Sequence, residues 1–348
     1  MSPLDRRGSP LGVAIALLTV YVVWGSTYLA IRYAIETLPT FTMAGARFLI
    51  AGGALYLFAR ASGAARPRAS AWGPAALIGA LLLLGGNGAV VWAEHRIPSG
   101  IAALLVAVEP VFIAMLAPLV LGGRKPGGRV FAGLAAGIAG VAILVLDPRG
   151  LDASSVDPIG AAVVVLGALS WALGSLGSVR VRPVDSPTLA TGMQMLAGGL
   201  LLALVGGLAG EWREVAWQAF SARSLAAFGY LVVLGSIVAF SAYAYLLRNA
   251  RPSVVATYAF VNPVVAVLLG WALAGESLNG RVAAAAVLIL AALALILGER
   301  QGDGATPQRN LDTAPEETFA TPPSADSEAG QPTPPPATPV ALAETRCA

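Results

Sequence analysis

The chain has 348 residues, of which 57% are hydrophobic and only 12% charged, with a mean hydropathy of +0.74. A soluble globular domain carries roughly twice that charged fraction, so the composition turns the question to membrane spans. The net charge of +3 is small, and the single cysteine, Cys347, excludes an intrachain disulfide.

Arg6 and Arg7 precede the first apolar run, which is too long for a signal-peptide core. They read as the positive flank of a first span; a twin-arginine export signal is the alternative. Apolar runs long enough to cross a hydrocarbon core then follow in order, near 12–34, 40–59, 73–93, 100–122 and 129–146. Five more lie near 159–178, 187–208, 224–247, 253–273 and 281–298. In lipid such runs are helices, because only a helix satisfies its own backbone. The expected fold is therefore an all-α membrane protein with ten transmembrane helices.

Orientation follows from arginine and lysine in the connections. Arg6, Arg7, Arg60, Arg66, Arg68, Arg124, Lys125, Arg129, Arg180, Arg182, Arg248, Arg251 and Arg300 fall on one side of these spans. The other side holds only Arg96, Arg149, Arg213, Arg223 and Arg281. Both termini are thus expected in the cytoplasm of a multi-pass protein of the cytoplasmic membrane. The segment near 209–224 carries Trp212, Trp217 and Phe220, and reads either as an interfacial helix or as a loop with belt tryptophans. Residues 299–348 are rich in Pro, Thr and Ala and read as a disordered cytoplasmic tail.

The two halves resemble each other. AVEPVFIAMLAPLVLGG, followed by GGRV at 127–130, parallels FVNPVVAVLLGWALAGE, followed by NGRV at 279–282. Pro110 matches Pro263, Pro98-Ser99 matches Pro252-Ser253, Trp24 matches Trp171, and RFLIAGG matches QMLAGG. A five-span unit is odd, so its second copy enters the membrane from the opposite side. Two inverted five-helix repeats around a central cavity are the expected outcome, with the binding site at the midplane. The boundaries expected are 1–11 for a cytoplasmic segment, 12–147 for the first repeat, 148–158 for a periplasmic linker and 159–298 for the second repeat. Pro110 and Pro263 become matched hinges, although proline is also tolerated in membrane helices for packing alone.

Ionisable residues inside the spans are Arg32, Arg47 and Glu109. Arg32 lies near a helix end and snorkels. Arg47 and Glu109 lie at similar depth, roughly 10 to 14 Å below the outer edge at 1.5 Å per residue, which permits an ion pair. Their counterparts in the second repeat are Gln194 and Asn262. Two roles stay open for the pair: a structural clamp, or a coupling or gating switch linked to substrate or protons. Trp24, Tyr28, Asn87, Trp171, Tyr258 and Asn262 sit near mid-depth and form the expected substrate site, with Ser26 and Thr27 beside them. Tyr258 and Asn262 share a helix face. Trp92 and Tyr243 suit a belt or packing role equally well. Gly160, Gly167 and Gly174, and the pair Gly133 and Gly137, read as close helix packing.

Several chemistries are excluded or disfavoured. Lys125 is the only lysine and lies outside any G-x-x-x-x-G-K-[ST] motif, so no Walker site exists, and no lysine lies in a span to form a retinal Schiff base. His95, the only histidine, sits at a span boundary. No catalytic set, metal site or cofactor is expected. The expected partners are a small-molecule substrate and the lipid bilayer, with a homodimer allowed and no nucleic acid.

With WGSTYLAIRYAIETLPTFTMAGARFLIAGG and VNPVVAVLLGWALAGE in view, the chain resembles an EamA-type member of the drug/metabolite transporter superfamily over about residues 12–298. The resemblance implies ten helices in two inverted repeats around a central cavity. It also implies transport, often outward, of amino acids, related metabolites or drug-like solutes. Members commonly carry a glutamate shortly after the fourth and ninth spans. Glu276 fits the second position, whereas the first half has GGRK at 122–125. The reading is a secondary transporter working by alternating access, exporting small amphipathic metabolites. The alternatives are an uncoupled facilitator, or a membrane-embedded enzyme or lipid-handling subunit.

Overall fold

A computed structural model describes residues 9–121, 127–145, 156–181, 184, 186–213, 217–250, 252–255 and 257–303. The expected tail lies outside these residues, apart from the end of the last helix, and so does the GGRK stretch. Among the described residues the chain is entirely helical. The principal helices are α1 (Pro10–Ala34), α2 (Thr40–Ala61), α3 (Ala69–Ala93), α4 (Ser99–Leu121) and α5 (Gly128–Val145). They continue as α6 (Pro158–Arg180), α7 (Pro187–Leu208), α8 (222–249), α9 (Tyr258–Ala274) and α10 (Gly280–Asp303). Seven helices are long and apolar enough to cross a membrane: α1 to α4, α6, α7 and the Ala222–Tyr243 part of α8. The apolar stretches Gly128–Leu144, Tyr258–Ala274 and Gly280–Leu295 are shorter. Large apolar side chains such as Leu11, Leu57, Leu119 and Leu166 point outward, as a hydrocarbon solvent requires.

Local sequence explains where these helices start. Pro10, Pro158 and Pro187 occupy first-turn positions, where a missing N–H is harmless. Ser9, Asp157, Ser186 and Ser221 supply side-chain acceptors to the first free N–H groups of α1, α6, α7 and α8. Helix α9 ends at Gly275, whose φ of +65° reverses the chain and lets the Glu276 N–H reach the Gly270 carbonyl.

Helices α2 and α7 meet backbone to backbone. A Cβ at Gly45 would stand 2.7 Å from the Ala203 nitrogen, and one at Gly52 2.8 Å from that of Leu196. Gly192 and Gly199 make the reciprocal approaches to Tyr56 and Leu49. The sequence reading placed close packing on α6, and there Gly167 and Gly174 do press against Ala89 and Leu82 of α3. Gly137 on α5 has only ordinary contacts.

Three helices are irregular at mid-length. The stretches Ala80–Asn87 of α3 and Leu231–Val238 of α8 are wound more widely, as π-helix, a geometry that frees carbonyls and recurs at functional sites. Helix α4 is interrupted at Ala107–Val108 and resumes at Glu109. Pro110 accounts for the interruption, since it cannot donate to the Val106 carbonyl. The expected counterpart at Pro263 differs. Pro263 lies inside continuous α9, while the interruption falls nearer Thr257, after the short helix Pro252–Val255. Pro263 is six residues into its helix, so it disturbs only the first turn, and the chain tolerates it there. One core joins α1, α2, α3, α7 and α8 through Ile31, Phe48, Leu83, Met195, Leu202 and Leu231. A second joins α4, α5, α6 and α10 through Leu104, Leu105, Leu144, Val164 and Ile289.

Candidate functional site

Helix α1 carries Trp24 to the middle of the bundle. Its indole Nε1 donates to the Gly235 carbonyl at 3.3 Å, within the wide turn of α8. The ring lies 5.2 Å from Phe240, 5.1 Å from Tyr243 and 5.5 Å from Tyr258, mostly edge to face. Tyr243 and Tyr258 also meet edge to face at 5.7 Å. Aromatic pairs in such arrangements add about 0.5 to 1.5 kcal/mol each beyond burial. Tyr243 thus belongs to the central group rather than to a belt. Phe240, one helical turn earlier on α8, was missed because its place in an apolar run carries no distinguishing signal.

Glu109 opens the second part of α4 and is only 9% exposed. Tyr28, Tyr243 and Tyr258 all lie within its electrostatic reach. Asn262 follows Tyr258 by one turn, and its Oδ1 is buried without a hydrogen-bond partner. The structure therefore gathers Trp24, Tyr28, Glu109 and Tyr258 around the meeting of α1, α4, α8 and α9, with Asn262 on the same face of α9 as Tyr258. Ser26 bonds Tyr230 at 2.5 Å, and Tyr21 bonds Thr257, tying α1 to α8 and to the start of α9.

The expected ion pair is not formed. Arg47 Nε donates to Ser236 Oγ at 2.9 Å, and its guanidinium stands 4.8 Å over the Phe48 ring. Among the described residues Glu109 has no ion-pair partner. Equal depth did not imply equal direction: α2 packs on α7 and on the wide turn of α8, so Arg47 faces Ser236. Ser236, a lone hydroxyl in LVVLGSIV, is the residue the sequence reading passed over. Trp171 on α6 packs against Gly86 of α3, the residue before Asn87. The Trp171 ring covers Gly86 so closely that a Cβ there would stand 2.7 Å away, and the Asn87 Oδ1 is buried unpaired.

At one end of the bundle, carboxylates cap two helix starts. Glu276 Oε1 accepts from the Ser99 N–H and Oγ, each at 2.7 Å, and Oε2 accepts from the Gly100 N–H at 2.9 Å. It caps α4 and lies 3.8 Å from Arg32 Nε. Glu211 caps α2 likewise, accepting from the Phe41 and Thr42 N–H groups at 3.0 and 2.8 Å and from Thr42 Oγ1 at 2.7 Å. Anions at helix N-termini are favoured by the free N–H groups and the macrodipole. At the same end His95 Nε2 and Thr40 Oγ1 are 2.7 Å apart, and Arg96 reaches Asp157 at 3.3 Å. Burial lowers the His95 pKa; at Asp157 desolvation is the largest single effect and raises the carboxyl, but the bonds from Gly160, Ile159 and Arg96 together outweigh it and hold the carboxyl below its ordinary range. Glu94, just past α3, is 2% exposed, and neither of its oxygens has a partner. Among the described residues no three metal-ligating side chains cluster.

Comparison with known proteins places these features in context. The model of the EamA-like transporter family matches residues 11–146 and again 158–298. An Escherichia coli K12 protein named "Uncharacterized inner membrane transporter YedA" is 42% identical over 287 residues, covering 82% of this chain and 90% of its own. A "Probable terminal-alkyne amino-acid exporter" of Streptantibioticus cattleyicolor is 30% identical over 269 residues, covering 75% of this chain and 85% of its own. One solved crystal structure shares the fold, with a TM-score of 0.56 at 20% identity, covering 82% of this chain and 96% of its own.

Proposed function

The chain belongs to the EamA-like transporter family, and from that premise we propose a secondary transporter of the cytoplasmic membrane that works by alternating access. It exports small amphipathic metabolites, amino acids or related solutes, through a site between two inverted five-helix repeats. The double match to one family model supports the repeat, as do the wide turns at Ala80–Asn87 and Leu231–Val238, which fall in corresponding helices. The arginine and lysine bias supports cytoplasmic termini, so the carboxylate-capped end faces outward. Names of relatives that export amino acids or their metabolites support the solute class.

The observation that carries the reading is Glu109, a nearly buried carboxylate with no ion-pair partner among the described residues, set among Tyr28, Tyr243 and Tyr258 with Trp24 behind them. A charge left unpaired in a membrane interior is costly, and it is kept where a cycle binds a proton or a solute to it. Trp24, Tyr28, Tyr258 and Asn262 line the path; Asn87 and Trp171 flank it from α3 and α6. Pro110 lets the two parts of α4 tilt, with Pro263 as the corresponding hinge on α9. Arg47 holds α2 to α8 through Ser236 and exchanges that bond during the cycle.

Proteoliposome transport tests this. Glu109→Gln is expected to abolish uptake driven by a pH gradient while leaving counterflow exchange intact. Unchanged pH-driven transport removes Glu109 from coupling and favours uncoupled facilitation. Turnover of a lipid substrate by purified protein, with no solute movement, would overturn the transport reading.

A further inference from the structure

Glu94 has no place in the scheme above, yet it is the most completely enclosed carboxylate described. It is 2% exposed, and both its oxygens are shut off from solvent with no hydrogen-bond donor in reach. An ionised carboxylate so placed would leave several lone-pair sites empty in a low-dielectric setting, which is strongly unfavourable. The nearby cation does not resolve this. Arg32 on α1 stands at 3.8 Å from Glu276, and no ion pair joins it to Glu94. The guanidinium near both carboxylates is thus paired with Glu276 and not with Glu94. The other groups facing Glu94 are Tyr28 and Arg32 from α1 and Glu276 from beyond α9. On its own segment, His95 is engaged with Thr40 and Arg96 with Asp157. Burial first, and then the Glu276 charge, push the Glu94 carboxyl well above the usual carboxylate range, with Arg32 opposing.

From this geometry we propose that Glu94 is a proton-binding site whose protonation closes the carboxylate-capped end of the bundle. With the proton on, Glu94 is neutral, Arg32 stays with Glu276, and Glu276 keeps its three bonds to Ser99 and Gly100. When that end opens transiently, a water reaches Glu94 and takes the proton as the O–H bond breaks, and the electron pair stays on Glu94. The new anion then repels Glu276 and competes for Arg32. The cap on α4 weakens, and the open arrangement, in which water reaches Glu94, is held. Glu94 is distinct from Glu109: it governs access from one side, whereas Glu109 sits at the shared centre. The inference rests on the alternating-access reading for its place in a cycle, but not for the proton site itself.

The test uses the full chain in nanodiscs, with Cys347→Ser and spin labels at the exposed positions Ala209 and Ser277, read by pulsed electron resonance. The expected result is a single short distance at acid pH. A longer one should grow in as pH rises through a midpoint above the ordinary carboxylate range. Glu94→Gln should hold the short distance at every pH. Arg32→Gln removes the opposing cation and should move the midpoint to higher pH. An unchanged midpoint in Arg32→Gln, or wild-type titration in Glu94→Gln, overturns the proposal. Should Glu94→Gln not fold, infrared spectroscopy of the wild type decides. A protonated-carboxyl band must persist above the ordinary range and vanish together with the short distance; its absence overturns the proposal. Transport measured on the same samples separates the two readings. Opening that follows solute but not pH sinks the Glu94 site alone. Opening that follows pH with no solute movement leaves Glu94 standing and sinks the transport reading.

Discussion

Replacing Glu276 with glutamine removes the charge that caps α4 while keeping the side chain's size. The carboxylate accepts three bonds, at 2.7, 2.7 and 2.9 Å, and its side chain is only 8% exposed, so solvent screens little of the effect. A glutamine keeps one acceptor oxygen and turns an NH₂ toward the donor that faced the other. The Ser99 or the Gly100 N–H then meets another donor. Hydrogen bonds to charged groups contribute about 1.5 to 3 kcal/mol each, and an unsatisfied buried donor costs a similar amount. Allowing for local adjustment, the cap should weaken by about 2 to 3 kcal/mol, which corresponds to roughly 30- to 150-fold in an opening equilibrium. Amide hydrogen exchange reads this directly, because the Ser99 and Gly100 N–H groups are the donors. Their exchange should accelerate by about that factor, while amides of α7 stay as they were. Acceleration of less than about threefold would refute the assignment of Glu276 as the principal cap.

Neighbouring glycines on α2 should behave oppositely. Gly52→Ala drives a Cβ to within 2.7 Å of Met195 and should lower thermal stability by about 1 to 3 kcal/mol, whereas Gly53→Ala meets nothing within 4 Å and should gain roughly 0.5 to 1 kcal/mol. Trp24→Phe keeps an aromatic ring at this place but removes the indole donor to the Gly235 carbonyl, and should cost about 1 kcal/mol in a detergent melt. Asp157 has a depressed carboxyl, so its cap on α6 is fully present above the ordinary aspartate range and is lost as pH falls through the lowered value. Exchange at the Ile159 and Gly160 amides should therefore rise only in strong acid, and in Asp157→Asn that acid dependence should disappear.

The helical class and the approximate helix positions were legible because hydrocarbon demands long apolar runs, a signal that composition and length alone carry. Trp24, Tyr28, Glu109 and Tyr258 stood out in the sequence because polar or large aromatic residues at mid-depth are rare, and of these Trp24 and Tyr258 meet ring to ring. What sequence could not supply was the direction each side chain takes around its helix. Arg47 was matched to Glu109 by depth, yet a wide turn in α8 brings Ser236 to it instead. Such turns rotate every following residue and leave no mark in composition. The capping roles of Glu211 and Glu276, and the enclosure of Glu94, depend on which loop folds over which helix end, and residue type alone does not encode that. Pro263 shows a further limit: it stands inside a continuous helix, whereas Pro110 follows directly on an interruption, and residue type alone does not distinguish the two.

The glycine seam between α2 and α7 bears on the motion that the proposed cycle needs. Interleaved large side chains can exchange neighbours and slide, but two main chains in direct touch have no such layer to shear. In the alternating-access cycle proposed above, the pair would be the fulcrum about which the remaining helices swing while the seam keeps its register.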